Sequence, residues 1–385
     1  MLSFSTIAVF VVILSLFGSV NLYISHRIHQ CLHSFWPQLP KGCVTGFFLV
    51  MMLVMIAGFV RSMLPLSSSV RSVLGTISSY WMGLFVYLLL FLLLADFLYL
   101  LLKGFLPALP LRILSILAAV VFTAATCIYG IWHANHPCHI SYDVPLSSSA
   151  PDEEIKLVMI SDLHLGAVGS EERLERIVRE INAQQPDIIC IAGDFFDNDF
   201  DAIHSPEKAA QTLKGLQATH GVYVCPGNHD SGPTVPEMLR FWEECQIRLL
   251  ADEFILIDGR LVLAGRLDPS PIGGFDGRKR TSIESLLAAA PKDLPVIVLD
   301  HNPASAATYG SGVSLVLCGH THKGQIFPGS LFTHRMFDVD HGFWKKDSES
   351  PAVIVSSGVG TWGMPMRVGT DSEIVSVNLH FEKTF

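Results

Sequence analysis

At 385 residues the chain is long enough for two domains of ordinary size, and a hydrophobic share of 50% with a mean hydropathy of +0.43 excludes a simple soluble protein. Charge locates the excess: residues 1–135 carry six Lys/Arg and one acid, Asp96, whereas residues 136–385 carry 20 Lys/Arg against 34 Asp/Glu, a net of −14. The acidic second part excludes broad electrostatic attraction to nucleic acid or to an anionic bilayer, so an anionic substrate has to be drawn by local charge such as metal ions.

Four apolar runs, 4–24, 44–60, 80–102 and 112–132, approach the length of about 20 helical residues that crosses a hydrocarbon core about 30 Å thick. The first lacks the basic leader of a cleaved signal peptide and is followed by three more runs, so it reads as an uncleaved span. The second is short and also fits a re-entrant segment. The expectation for 1–135 is an all-α transmembrane region of about four helices, in an integral, multi-pass protein whose first partner is the lipid bilayer. Asp96, inside the third run, stands near Lys103 and Arg112 in sequence and reads as paired or snorkelling. Arg27, Lys41, Lys103 and Arg112 in the first and third connections face Arg61, Arg71 and Lys156 on the side of the termini. This count barely favours an extracytoplasmic second part. Lone thiols in strand-like runs at Cys190, Cys225 and Cys318 pull the other way, and the face stays open.

Residues 136–155 are polar, with Pro137, Pro145, Pro151 and a serine run, and read as an exposed linker. Beyond it short β-like runs alternate with amphipathic helical ones: strands at 156–161, 187–193 and 221–227, with helices near 171–184 and 206–218. Further strands follow at 261–265, 295–300, 314–319, 351–358 and about 373–380, with a helix near 282–290. This is the rhythm of an α/β domain over 156–385. Several buried-type strands run straight into polar clusters: Ser161-Asp162-Leu163-His164, Gly193-Asp194-Phe195-Phe196-Asp197, Gly227-Asn228-His229-Asp230, Asp300-His301-Asn302-Pro303 and Gly319-His320-Thr321-His322. Ligands of α/β sheets bind outside the carboxyl ends of strands, so the five clusters are expected to converge.

A single D-x-H or H-T-H is more often a satisfied polar turn than a metal site. In combination, carboxylate, amide and imidazole donors form a set suited to hard or borderline divalent ions. The ordered blocks D-x-H, G-D-x-x-D, G-N-H-[DE], a strand-end His and G-H-x-H resemble the calcineurin-like metallophosphoesterase superfamily over most of residues 156–380. The segments SDLHLG, PDIICIAGDFFD, VLDHNP, GHTHKGQIFPG and SSGVGTWGMPMRVG are similar to its membrane-associated branch of small bacterial enzymes. That likeness implies a bacterial inner or plasma membrane.

The resemblance implies a four-layer α/β (α+β) sandwich of two mixed sheets flanked by helices. It implies that Asp162, His164 and His322 hold one metal, that Asn228, His301 and His320 hold the other, and that Asp194 bridges them. The cofactors would be two divalent ions, manganese, iron or zinc, which spaced about 3.5–4 Å apart activate a water for in-line attack on phosphorus. His229 is implied to stabilise the phosphoryl oxygens and to protonate the leaving group, with Asp197 orienting it. Asp230 either shares that task or caps a turn.

The bacterial branch usually carries Gly after G-H-T-H, where this chain has Lys323; the metal set is untouched and the pocket rim changes. Arg278, Lys279 and Arg280 read as a solvated face, with a substrate-phosphate contact as the rival. Trp344, Trp362, Met364 and Met366 read as packing, with an apolar lip for a lipid tail as the rival.

The expected function is hydrolysis of a phosphodiester or pyrophosphate bond by a dinuclear metal centre. The substrate is a phosphoester, with a lipid-linked or envelope-precursor molecule such as UDP-diacylglucosamine as the leading candidate. Broad phosphomonoesterase or cyclic-nucleotide phosphodiesterase activity is the alternative. A non-catalytic ligand-binding domain is the third reading, which an undamaged ligand set argues against.

Overall fold

A computed structural model describes residues 4–148, 154–168 and 171–383. The chain divides into two compact units, residues 1–130 with 363–365, and residues 131–362 with 366–385. The first holds four helices, α1 (Phe4–Phe35), α2 (Lys41–Phe59), α3 (Ser68–Leu102) and α4 (Ala108–Ala134), whose last turn already belongs to the second unit. All four are long and apolar enough to cross a membrane by length and composition. The second, expected to be the shortest, is a continuous helix of 19 residues. At 1.5 Å per residue that is about 28 Å. Ile24, Phe48, Leu92 and Ile116 close the interior of this unit, while Val12, Leu53 and Phe122 stay outward, a pattern of apolar residues on every side that suits lipid.

Asp96 does not pair with Lys103 or Arg112. It takes an ion pair from Arg27 and a hydrogen bond from the Tyr23 hydroxyl at 2.8 Å, which joins α3 to α1. Arg112 lies instead over the Tyr99 ring, 4.3 Å from its centroid. A carboxylate inside an apolar helix needs polar partners close by, and helix packing supplies them from a helix 69 residues away.

The second unit opens with β1 (Cys138–Ser148), followed by β2 (Ile155–Ile160), α5 (Glu171–Asn182), β3 (Ile188–Ala192), α6 (Pro206–Leu213), β4 (Val222–Cys225), α7 (Val235–Glu244) and β5 (Ile247–Leu249). Then come β6 (Glu253–Ile257), β7 (Leu261–Gly265), α8 (Ile283–Leu286), β8 (Val296–Leu299), β9 (Leu315–Cys318), α9 (Gly329–Met336), β10 (Gly342–Trp344), β11 (Ala352–Val355) and β12 (Glu373–Lys383). One mixed sheet runs β1-β12-β2-β3-β4-β5 and the other β10-β11-β9-β8-β7-β6.

The expected linker is therefore only partly a linker. Residues 138–148 pair with β12 in parallel along the whole strand, from Cys138 opposite Glu373 to Ser148 opposite Lys383. Alternating Ile140, Tyr142, Val144 and Leu146 supply the apolar face that the prolines and serines obscured. The rest of that segment, 149–153, lies outside the described residues.

Strand periodicity explains the layering. Leu157, Met159, Ile188, Cys190, Leu299 and Leu315 face the space between the two sheets, whereas Val158, Ile160, Ile189 and Ile191 face helices on the far side. On α5 the positions Leu174, Ile177, Val178 and Ile181 form one stripe at helical spacing, each fully buried side chain contributing about 1.5–3 kcal/mol. Val298, Val316 and Val353 close the outer face of the second sheet with Leu286, Ala306 and Tyr309. The result is the expected sandwich of helices and two sheets.

Candidate metal centre

Three of the strand-end clusters, at 161–164, 193–197 and 319–322, leave their sheets through an unusual backbone. Asp162, His164, Asp194, His320 and His322 all have positive φ, between 48° and 74°. Asp tolerates this region better than most residues, but the conformation costs about 1–2 kcal/mol per residue, so the surrounding packing has to impose it. Two glycines make the convergence possible by allowing backbone to approach carboxylate. A Cβ on Gly319 would stand 2.3 Å from Asp162 Oδ2, and one on Gly227 would stand 2.2 Å from Asp194 Oδ1.

The donor atoms then meet in two groups. In the first, His322 Nε2 lies 3.2 Å from Asp162 Oδ1 and 3.1 Å from His164 Nε2. In the second, His301 Nε2 lies 3.1 Å from Asp194 Oδ2, and His320 Nδ1 lies 2.8 Å from Asn228 Oδ1. Asp194 Oδ2 is also 3.7 Å from His164 Nε2, so one carboxylate stands between the groups. The ligand atoms of Asp162, His164 and His322, and likewise those of Asp194, His301 and His320, lie within 4.8 Å of one another.

The chemistry of these atoms fits divalent cations. His301 Nδ1 donates to the Ala192 carbonyl at 2.8 Å, which directs the Nε2 lone pair into the site, where that buried atom has no hydrogen bond of acceptable geometry. Two imidazole nitrogens of His164 and His322 face each other at 3.1 Å, an arrangement that a shared cation stabilises. Burial lowers His164 and His320 to about 4 and holds His322 well below its usual value, which keeps these imidazoles neutral and able to ligate. Burial, with the Asp194 charge adding to it, pushes Asp162 up to about 6. For Asp194 burial is outweighed by His301, which holds the carboxyl well below its usual range. For His301 burial is outweighed by Asp194, which holds the imidazole above its own. Proton and metal compete for that imidazole lone pair.

His229 joins the same region. Its ring stands 5.2 Å from that of His164, and its amide donates to Asp194 Oδ1 at 2.8 Å. Its expected partner is farther off: Asp197 Oδ1 is 4.0 Å from His229 Nδ1 and 3.9 Å from His164 Nδ1, outside hydrogen-bond range of both. The atom that meets His229 Nδ1 is Asn198 Oδ1. An amide oxygen only accepts, so Nδ1 donates and Nε2 is left to exchange a proton. Asn198 immediately follows G-D-x-x-D, and its amide was the available sequence signal.

Asp230 is fully buried and accepts from three main-chain amides, Phe195 at 3.1 Å, Phe196 at 2.7 Å and Gly227 at 2.9 Å. It caps the two turns that carry Asp194 and Asn228, which decides between its two expected roles. Burial and the nearby Asp194 push its carboxyl up to about 7 against the pull of those donors. Replacing it with alanine leaves the three amides without an acceptor; the expected loss is about 3 kcal/mol or more, read as a lowered melting temperature in detergent.

The remaining expectations divide. Arg280 grips Asp300 through two bonds of 2.8 and 2.7 Å, and the Tyr309 hydroxyl donates to the same carboxylate at 2.5 Å, which steadies the strand end carrying His301. Arg278 meets Ala251 O at 2.8 Å and Glu253 at 3.3 Å. Lys323 adopts φ 51° and ψ 31°, the conformation for which glycine is the default residue. Met366 is buried and Trp344 packs on the second sheet's outer cluster. Trp362, 43% exposed, places its ring 5.9 Å from that of His229. Gln325, which sequence reading passed over, holds the Trp362 main chain by bonds of 2.9 and 2.8 Å.

A family model described as calcineurin-like phosphoesterase matches residues 155–324. An "uncharacterized metallophosphoesterase" of Aquifex aeolicus is 32% identical over 239 residues, which cover 62% of this chain and 90% of that protein. Another from Helicobacter pylori is 31% identical over 243 residues, 62% of this chain and 63% of its own length. A "transmembrane protein with metallophosphoesterase domain" of Danio rerio is 29% identical over 279 residues, 68% of this chain and 62% of its own length. The match thus spans less than two thirds of the Helicobacter and Danio relatives.

Proposed function

The chain belongs to the calcineurin-like metallophosphoesterases, metal-dependent phosphoester hydrolases, and on that premise we propose that it is a membrane-anchored enzyme cleaving a phosphodiester or pyrophosphate bond. On this reading Asp162, His164 and His322 would hold one divalent ion and Asn228, His301 and His320 the other, with Asp194 within reach of both groups. The observation that carries this reading is the Asp194 carboxylate, 3.7 Å from His164 Nε2 on one side and 3.1 Å from His301 Nε2 on the other. When bound, the two ions supply Lewis acidity at the phosphoryl oxygens and lower the pKa of the attacking water.

The chain's own groups do the rest. Asn198 fixes the His229 ring, so that Nε2 delivers a proton to the leaving oxygen. Asp197, 3.9 Å from His164 Nδ1 and 4.0 Å from His229 Nδ1, places negative charge beside both imidazoles and favours the N–H on the Nδ1 side of each. Asp230 fixes the turns on which Asp194, Asn228 and His229 ride.

For the substrate, four helices of membrane-crossing length and an exposed Trp362 beside His229 favour a molecule with an apolar part, in a lipid-linked or envelope-precursor class such as UDP-diacylglucosamine. Multi-pass anchorage in a bacterial inner or plasma membrane completes the reading. The test uses the full chain in detergent with manganese, on bis-p-nitrophenyl phosphate, p-nitrophenyl phosphate and a lipid-linked pyrophosphate. Hydrolysis of the lipid substrate above both small esters, lost on chelation and restored by metal, is expected. Equal rates on the small esters with none on the lipid would instead favour a broad phosphomonoesterase, and no turnover at all after metal reloading would sink the hydrolase.

A further inference from the structure

Arg367 is fully buried, and among the described residues no carboxylate lies within ion-pair distance of it. Such a cation carries a desolvation cost of several kcal/mol unless every donor is engaged. Here main-chain carbonyls engage them: Nε donates to Gly360 O at 3.3 Å, Nη1 to His322 O at 3.3 Å, and Nη2 to Ser357 O at 2.5 Å, Gly358 O at 3.0 Å and Gly360 O at 2.8 Å. Nη2 also stands 3.4 Å from His322 Nδ1.

The turn at 357–360 is itself pressed against the Asp162 turn. Val359 N donates to Ser161 O at 2.9 Å, and a Cβ on Gly360 would come within 2.1 Å of Asp162 O. This turn therefore lies between Asp162 and His322, and one guanidinium ties it to the His322 side. Among the described residues the hydrogen bonds of Arg367 go to Ser357, Gly358, Gly360 and His322 and to none of Asp194, His301 and His320.

We propose that Arg367 is a positioning residue for the Asp162, His164 and His322 metal group, holding the 357–360 turn and the His322 carbonyl in one fan so that His322 faces Asp162 across the site. This rests on the two-metal reading above. Planar geometry with five donors is what the fan requires, and a lysine, with three donors on one nitrogen, cannot reproduce it.

The experiment titrates manganese into the full chain in detergent by calorimetry and follows the spin-coupled pair by electron paramagnetic resonance. The wild type is expected to take two equivalents. Arg367→Lys is expected to keep one at wild-type affinity and to weaken the other about 10–100-fold, the usual effect of losing an outer support of a metal ligand. The weakened equivalent should be the one that His322→Ala removes and His320→Ala spares. Arg367→Gln, which removes the charge and leaves a single amide donor group in place of the fork, should do the same and decides the matter if Arg367→Lys does not fold. Two equivalents at wild-type affinity in the variants, or equal weakening of both, would overturn the positioning role. Fewer than two equivalents in the wild type would sink the two-metal reading first.

Discussion

Asp194→Ala is expected to lower turnover by more than about a thousandfold, which corresponds to about 4 kcal/mol of transition-state stabilisation. The size follows from its place: Oδ2 stands 3.7 Å from His164 Nε2 and 3.1 Å from His301 Nε2, so removing it takes a negative donor from both groups at once. Its Oδ1 also accepts the His229 amide at 2.8 Å, so the turn that carries the acid loosens as well. Asp194→Asn separates the two effects, since an amide oxygen can keep the bond to His229 while the charge is lost. Metal content by mass spectrometry should fall below two per chain in both variants. A variant with two ions and wild-type turnover would refute the bridging role.

The second large effect belongs to His229→Ala. General acid catalysis contributes about 10²–10⁴-fold, and the loss should be greater for esters with poor leaving groups, which depend most on protonation. Because the contact with Asp194 comes from the main chain of residue 229, both metal equivalents should survive the substitution. Rates across a series of aryl phosphodiesters would show it as a steeper dependence on leaving-group pKa. An unchanged slope would assign the ring to binding instead.

The parts of the site that were legible in the sequence are those in which one residue type does two jobs. Asp, Asn and His both suit the polar turns at strand ends and carry metal-binding atoms, so Asp162, Asp194, Asn228, His301, His320 and His322 stand out as candidates by position and chemistry together. The supports were hidden for the opposite reason. Arg367 fills a place among carbonyls that no local pattern announces, and Asn198 differs from Asp197 by one step along the chain, a distance that only turn geometry can resolve. The same limit applies to Asp96, whose partner Arg27 is brought in by helix packing while sequence proximity pointed to Lys103 and Arg112. Among regular elements, apolar strands buried on both faces, such as β2, β3, β8 and β9, announce themselves by composition. Three-residue edges at β5 and β10, and β1 with its internal proline, do not.

In the first sheet β12 sits between β1 and β2, parallel to one and antiparallel to the other. During synthesis β1 leaves the ribosome more than 200 residues before the strand it must pair with, and its neighbouring place beside β2 has to be kept vacant until residues 373–383 emerge. Closure of this sheet is thus a late event with high contact order, and the waiting edge is exposed to any chain able to add a strand. Shortening the chain before residue 373 would therefore leave the gap unfilled with β1 and β2 both unpaired along it, and would release an aggregation-prone intermediate rather than a slightly smaller enzyme.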